Sequence, residues 1–409
     1  MVKPWDVATI GDFLEFKNGL NKGKEFFGYG TPIVNYTDVY KKRGLKKEDI
    51  RGKVCLTLDE IRRFDVRKND VFFTRTSETP DEVGMSSVLL EDVEDGVFSG
   101  FVLRGRPKND MFVPEYCKYC FSTEAIRNAI ITGCTYTTRA LTNGKQLSAI
   151  EIPVPPKPEQ EAIAAALSDI DALIANLEKL IAKKKAIKQG TMQELLTGKR
   201  RLPGFTDKWV IRKIGHWGEF ISGSCFPLQH QGKQSEKYPF YKVSDFNNPG
   251  NERYMKNANN YISHDTAIVL GCTVLPVGAI VVAKIGAAIF LERKKITTME
   301  CCVDNNMMAF VPSNGAAPSF LCYTFLNMRF GDFAEATALP SLSGKTICAI
   351  ERSFPPTVDE QNAISQVLSD MDNEIELLEK KLKKAKGIKT GMMSELLTGR
   401  IRLTDKEDA

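Results

Sequence analysis

The sequence predicts an α+β protein: two mixed α/β domains from an internal duplication, separated by two long antiparallel coiled-coil helices. Three observations predict it. With Glu159 set against Glu360, 25 of the 44 positions from 159 to 202 are identical at a fixed shift of 201, which a duplication explains and chance does not. That period is far too long for a solenoid, so each copy holds a whole domain and its connector. Within each connector the apolar residues recur in heptads, and the charge changes sign from its first half to its second.

Composition sets the frame. At 409 residues the chain is too long for one ordinary domain, and 43% hydrophobic with 26% charged content is that of a soluble globular protein. No apolar run approaches the roughly 20 residues of a membrane span, so no membrane association is expected. The opening Met-Val-Lys-Pro-Trp-Asp lacks the basic-then-apolar pattern of a secretory signal. Ten cysteines without framework spacing fit reduced thiols in a cytoplasm. A net charge of +5 is compatible with nucleic acid but does not argue for it.

Upstream of the strong repeat a fainter skeleton is shared. Trp5 and Ile10-Gly11 match Trp209 and Ile214-Gly215, and LEFKNG (14–19) matches GEFISG (218–223). TPIVNYTDV (31–39) matches YPFYKVSDF (238–246). DVFFTRTS (70–77) and AIVVAKIG (279–286) read as buried strands running into a basic residue, Arg75 or Lys284. Another strand pattern follows in each copy (VFSGFVLRG, NMMAFVPS), then a proline-led amphipathic helix from Pro114 or Pro318. LTNGKQLSAIE (141–151) and LPSLSGKTICAIE (339–351) close the domains.

The connectors are helices built to pair. Ile163, Leu167, Ile170, Ile174, Leu177 and Ile181 step by fours and threes, and Ile364, Leu368, Met371, Ile375, Leu378 and Leu382 repeat the seam. Thr357-Val-Asp-Glu360 reads as a capping box, and Pro158 falls where an early helical position tolerates proline. Gly198 and Gly399 are natural C-terminal stops. About 39 residues of helix extend about 58 Å. The first halves are acidic (Glu159, Glu161, Asp169, Asp171; Glu360, Asp370, Asp372, Glu374, Glu376). The second halves are basic (Lys183, Lys184, Lys185, Lys188; Lys380, Lys381, Lys383, Lys384, Lys386, Lys389). Antiparallel pairing sets acid beside base; a solvated face, or contact with DNA phosphates, is the other reading of these lysines. A duplication with antiparallel rods implies a pseudo-twofold axis with one domain at each end of a shared spacer.

The sequence carries no recognisable active-site motif. NNPG (247–250) is not the Asn/Asp-Pro-Pro-aromatic motif of adenine methyltransferases. SGKT (343–346) has Leu339 where a Walker loop needs its first glycine. Cys117 and Cys120 form a lone CxxC whose counterparts are Leu321 and Thr324, the pattern of a packing pair rather than a metal site. His216, His230 and His264 all lie in the second copy and cannot serve a shared catalytic scheme.

The opening Pro155-Pro156-Lys-Pro-Glu159-Gln160, the heptad helix and the ELLTG ending, each present twice, resemble the DNA-specificity subunit of type I restriction-modification enzymes. The second opening, Pro355-Pro356-Thr-Val-Asp-Glu360-Gln361, carries one extra residue. The resemblance spans the whole chain. It implies target-recognition domains at 1–152 and 204–352, spacer helices at 153–203 and 353–403, and a tail at 404–409. It implies a non-catalytic, cytoplasmic targeting subunit whose domains each read one half of a bipartite site on double-stranded DNA. Its partners would be two methyltransferase (M) subunits and restriction/translocase (R) subunits. No cofactor is implied in this chain; S-adenosylmethionine, ATP and Mg belong to the partners, whose complex methylates adenine at N6 and cleaves DNA in an ATP-dependent way. A pseudo-dyad suits half-sites about one helical turn apart, roughly 10 bp or ~34 Å. A coiled-coil scaffold with no DNA role and a solitary DNA-binding protein are the alternatives.

Base edges call for Arg, Lys, Asn, Gln, Ser and Thr on loops, and phosphates for Lys and backbone amides. In the first domain the candidates are Asn18, Asn21, Lys22, Lys24, Arg75, Thr76, Ser77, Thr135, Tyr136, Thr138, Arg139 and Lys145. In the second they are Ser222, Ser224, Gln229, His230, Gln231, Lys233, Lys284 and Lys345. For each, an exposed side chain without a role is the competing reading. The recurring positions Arg75/Lys284 and Lys145/Lys345 suit phosphate positioning, since base readers should differ between copies.

Overall fold

The computed structural model describes residues 4–136, 138–313, 315–335 and 338–403; the tail expected at 404–409 lies outside them. The chain forms two compact units, one from residues 1–178 and 380–409, the other from 179–379. The two long helices, Lys157–Leu195 and Val358–Leu396, are 39 residues each, and each supplies residues to both units.

In the first unit a five-stranded sheet runs in the order Leu14–Asn18, Val102–Pro107, Val71–Thr74, Ser86–Leu89, Gly44–Leu45, antiparallel except for its last, parallel pair. The second unit repeats order and polarity with Gly218–Ser222, Met307–Pro312, Ile280–Ala283, Lys294–Thr297 and Tyr254–Met255. Each unit adds a small sheet centred on Phe27–Val34 or Tyr238–Tyr241, and a two-stranded ribbon, Asp6–Thr9 with Glu151–Val154 or Val210–Lys213 with Glu351–Phe354. The duplication is intact in these sheets; a further three-stranded sheet of the first unit, Thr76–Ser77, Ala140–Leu141 and Thr135–Tyr136, is matched in the second by single bridges of Ser341 to Ile285 and to Glu335.

The central strands are buried along their whole length, as uninterrupted runs of β-branched and aromatic residues require. Strand alternation divides their side chains between two cores. Val71 and Phe73 join Ile163, Ala164, Leu167, Leu396 and Leu397, while Phe72 faces Val34, Leu45 and Phe98. In the second unit Ile280 and Val282 meet Leu195, Leu196, Ile364 and Leu368, and Val281 meets Tyr241 and Phe246. The repeated Leu-Leu of ELLTG is therefore a plug: each pair ends one helix and fills the core beside the start of the other.

Within each unit the helices run antiparallel. In the first, Glu159 pairs with Arg402, Asp171 with Lys389 and Glu178 with Lys386, so numbers rise on one helix as they fall on the other. In the second, Glu360 pairs with Arg201, Asp372 with Lys188 and Glu374 with Lys184. Of the seam, Ile163, Leu167, Ile170, Ile181, Ile364, Leu368, Ile375 and Leu378 are buried, and Ile174, Leu177, Met371 and Leu382 are half-buried.

The strongest repeated residues explain themselves at the helix starts. Glu159 is fully buried, receives Arg402 Nε and Nη2 at 2.5 and 2.6 Å, and accepts Trp5 Nε1 at 2.9 Å. Glu360 receives Arg201 Nε and Nη2 at 2.5 and 2.8 Å, and Trp209 Nε1 at 3.1 Å. Gly198 and Gly399 take φ of +71° and +69°, the left-handed stop, and a Cβ there would press within 3.1 and 3.2 Å of Trp209 and Trp5. Gln160 accepts from Val113 N at 2.9 Å, and Gln361 from Ala317 N at 2.8 Å. Each glutamine thereby anchors the loop that leads to the proline-led helix.

Two local expectations are corrected. Thr357 Oγ accepts from Glu360 N at 3.3 Å, but the glutamate turns to Arg201 instead of closing a capping box. The helix expected from Pro114 is broken into Pro114–Cys117, a short turn and Glu124–Gly133, because Thr123 caps a fresh start by accepting from Ile126 N at 3.3 Å. The second copy keeps one helix, Pro318–Leu326. Cys117 and Cys120 are free thiols packed in the first core, and burial above all pushes the Cys120 thiol up.

Candidate nucleic-acid interface

Arg75 and Lys284 directly follow the buried central strands and share one backbone wiring. Arg75 N donates to Phe101 O at 2.9 Å, and its carbonyl accepts from Thr142 N at 3.0 Å. Lys284 N donates to Asn306 O at 2.9 Å, and its carbonyl accepts from Leu342 N at 2.8 Å. A core strand thus delivers a positive charge to the point where the closing segment of the domain crosses it. The short helices Gly144–Ser148 and Gly344–Cys348 carry Lys145 and Lys345. Each begins on glycine because a Cβ would fall 2.6 Å from Phe16 Cβ or 2.5 Å from Phe220 Cβ on the neighbouring strand. The SGKT segment is this seat.

In the second unit these elements enclose a cleft of about 420 Å³ lined by Phe220, Ser222, Lys284, Ser341, Ser343 and Lys345 among others. Lys284 Nζ donates to Ser222 Oγ at 3.2 Å, and Lys345 is exposed. The cleft offers two cations and several hydroxyls, a set suited to phosphate oxygens and base-edge acceptors.

The first unit places a different set beside its sheet. A cleft of about 330 Å³ is lined by Tyr36, Thr76, Ser77, Glu78, Glu82, Phe101 and Arg139. Arg139 is exposed, and Thr76 is half-buried. Arg75 reaches Gly100 O at 3.3 Å, and Asn21 stands at the same glycine, where a Cβ would lie 2.0 Å from its Oδ1. The counterparts of Tyr36, Thr76, Glu78 and Phe101 in the second unit, Val243, Ile285, Ala287 and Asn306, line a separate cleft there, and none of the four is charged or aromatic.

Other candidates have different fates. Ser77 is buried and donates to Glu82 Oε2 at 2.9 Å; Lys22 pairs with Glu60 and lies 4.8 Å from the Phe26 ring centre. Gln231 donates to Phe226 O at 2.8 Å and accepts from Lys242, while Lys233 pairs with Glu236 at 2.9 Å. Ser224 donates to Gly271 O at 3.5 Å, and Gln229 stands 3.2 Å from the His230 ring. Asn18, Lys24, Thr135, Tyr136, Thr138 and Lys145 are exposed. The structure joins Thr76, Ser77 and Arg139 in one cleft and Ser222, Lys284 and Lys345 in the other; Gln229, His230, Gln231 and Lys233 do not line the latter.

Sequence reasoning missed Tyr36, Glu78 and Phe101. Phe101 is 57% exposed, and its signal was an aromatic placed directly after the Ser-Gly that opens a strand. Among the described residues no helix is long and apolar enough to cross a membrane.

Comparison with known proteins agrees with this architecture. Residues 2–189 and 206–386 match the family described as the type I restriction modification DNA specificity domain. A putative type I restriction enzyme MjaX specificity subunit of Methanocaldococcus jannaschii is 23% identical over 423 aligned positions, covering 98% of this chain and 94% of that protein. The EcoKI specificity subunit of Escherichia coli K12 is 26% identical over 185 positions, 44% of this chain and 39% of that one. The fold is similar to the crystal structure of a type I restriction-modification S subunit from M. genitalium, with a TM-score of 0.57 at 16% identity and 96% of each chain covered.

Proposed function

The chain belongs to the type I restriction-modification DNA specificity family, and from that premise we propose how its two units divide the work. Each recognition domain reads one half of a split sequence on double-stranded DNA, and the paired helices set the gap between the halves. The observation that carries this reading is a cleft that recurs beside the repeated sheet: Tyr36, Thr76, Glu78 and Phe101 line it in the first unit, and their counterparts Val243, Ile285, Ala287 and Asn306 line it in the second. The same scaffold with different side chains is what two different half-sites require. Arg75, Lys145, Lys284 and Lys345 hold register on phosphates, and the side chains that differ between the clefts discriminate bases.

The chain itself is the targeting subunit and supplies no reacting group. Adenine-N6 methylation falls to two methyltransferase subunits that bind S-adenosylmethionine and dock on the helices. ATP-driven translocation and Mg-dependent cleavage fall to restriction subunits. All of this takes place in the cytoplasm.

The test is the map of methylated adenines in the source genome with and without this gene. A split motif that vanishes with the gene supports the reading, and the absence of any gene-dependent split motif overturns it. In binding assays Lys345→Ala should weaken all sequences alike and lower the salt slope by about 1.

A further inference from the structure

One half-buried polar cluster built on a buried tyrosine recurs in both units and lies away from the candidate clefts. In the second unit Tyr323 Oη donates to Asp372 Oδ2 at 2.7 Å, and Lys188 Nζ donates to the other oxygen at 2.5 Å. Arg253 Nη2 reaches Tyr323 Oη at 2.8 Å and Ser369 Oγ at 3.1 Å, and its Nη1 donates to Asn373 Oδ1 at 2.9 Å. In the first unit Tyr119 Oη donates to Asp171 Oδ2 at 2.9 Å and stands 3.1 Å from Ser168 Oγ. Lys389 pairs with Asp171, Lys118 Nζ donates to Ser168 Oγ at 3.0 Å, and the Arg43 guanidinium lies 5.8 Å from the Tyr119 ring centre. Tyr119, Ser168, Asp171 and Lys389 correspond to Tyr323, Ser369, Asp372 and Lys188. Arg43 and Arg253 each precede the parallel edge strand of their sheet.

In the second unit four segments meet at the Asp372 carboxylate: the sheet edge through Arg253, the segment after Pro318 through Tyr323, and both long helices through Asp372 and Lys188. In the first unit Asp171 joins Tyr119 and Lys389, and the sheet edge approaches through Arg43 over the Tyr119 ring without reaching the carboxylate. Tyr119 and Tyr323 are almost wholly buried, and Asp171 and Asp372 are the points to which their hydroxyls turn. Burial above all, with the neighbouring aspartate, pushes both hydroxyls well above their ordinary range, so they remain donors at physiological pH. A phenylalanine would fill the same space. A hydroxyl–carboxylate bond in its place adds direction, since a charged acceptor strengthens and orients the hydrogen bond.

Direction matters here because small rotations are read out as whole base pairs. A point one radius of gyration from the pivot, about 15 Å in a domain of about 150 residues, moves by about 3.4 Å, one base-pair step, when the domain turns by about 13°. Resting on the functional reading above, we propose that the Tyr–Asp–Lys clusters are the positioning devices that fix each recognition domain on the helix pair. Tyr119 and Tyr323 thereby enforce a single gap between the two half-sites. They are positioning residues, remote from the bases.

The experiment uses the assembled modification complex on duplexes carrying both half-sites with the native gap, or a gap one base pair shorter or longer. Adenine methylation rates give the gap preference, and single-base changes in each half-site give the base preference. Tyr119→Phe and Tyr323→Phe should each lower the gap preference at least tenfold and leave base preference within twofold. Asp372→Asn, which keeps shape and removes charge, should act in the same direction and replaces a tyrosine variant that fails to assemble. Gap preference unchanged within twofold in all variants overturns the inference, as does base preference lost together with it. A wild-type complex that methylates no split sequence defeats the functional reading instead.

Discussion

Glu159 and Glu360 show what a single side chain can decide in this molecule. Each carboxylate is almost fully buried, so it persists only because an arginine meets both oxygens and an indole N–H takes a further lone pair. Removing one partner leaves the other charge buried and unpaired. Arg201→Ala should therefore destabilise the second unit by about 3–5 kcal/mol in denaturant titrations. Arg201→Met with Glu360→Leu should recover most of that, because no charge is stranded; an equal loss in the double variant would show that the pair acts through packing alone. The identity of these glutamates as the start of a repeated helix was legible in the sequence. Their role was not, because Arg201 and Glu360 stand 159 positions apart and only the folded chain brings them together.

At the scale of elements, the long helices were the most legible part of the chain. A heptad seam and a sign change in charge act along one helix, so periodicity alone exposes them. The helix after Pro114 was read as continuous because its apolar pattern continues; a local competitor, Thr123 accepting from Ile126 N, divides it. Glycine separates the two kinds of helical position. Gly399 holds φ +69° against Trp5, whereas Gly190 lies inside its helix with nothing within 4 Å of an added Cβ. Gly399→Ala should cost about 1–2 kcal/mol, and Gly190→Ala should gain about 0.5–1 kcal/mol. Denaturant midpoints that moved in the same direction for both would refute the left-handed stop as the function of the ELLTG glycine. The candidate clefts were less legible than the helices. Arg75 and Lys284 could be found because they recur, but Tyr36, Glu78 and Phe101 belong to one copy alone and meet only through tertiary packing.

At the scale of the whole molecule, the two halves are interchangeable in plan. Gly198, Arg201 and Trp209 do in the second unit what Gly399, Arg402 and Trp5 do in the first: stop a helix, clamp the opposing glutamate and cover the stop with an indole. In the second unit the clamp is continuous chain, with residues 203–208 bridging Leu202 to Trp209. In the first unit Leu403 and Trp5 occupy the matching places without that bridge. Copying segment 203–208 between Leu403 and Trp5, and opening the chain between Leu202 and Trp209, exchanges one bridge for its equal. Closure free energy changes by only about 0.6 kcal/mol per doubling of loop length, and the exchanged loops have the same length. The permuted chain should keep its denaturant midpoint, its two half-sites and the gap between them. A permuted chain that folded but lost recognition of one half-site would mean that the bridge at 203–208 has a part of its own in reading DNA.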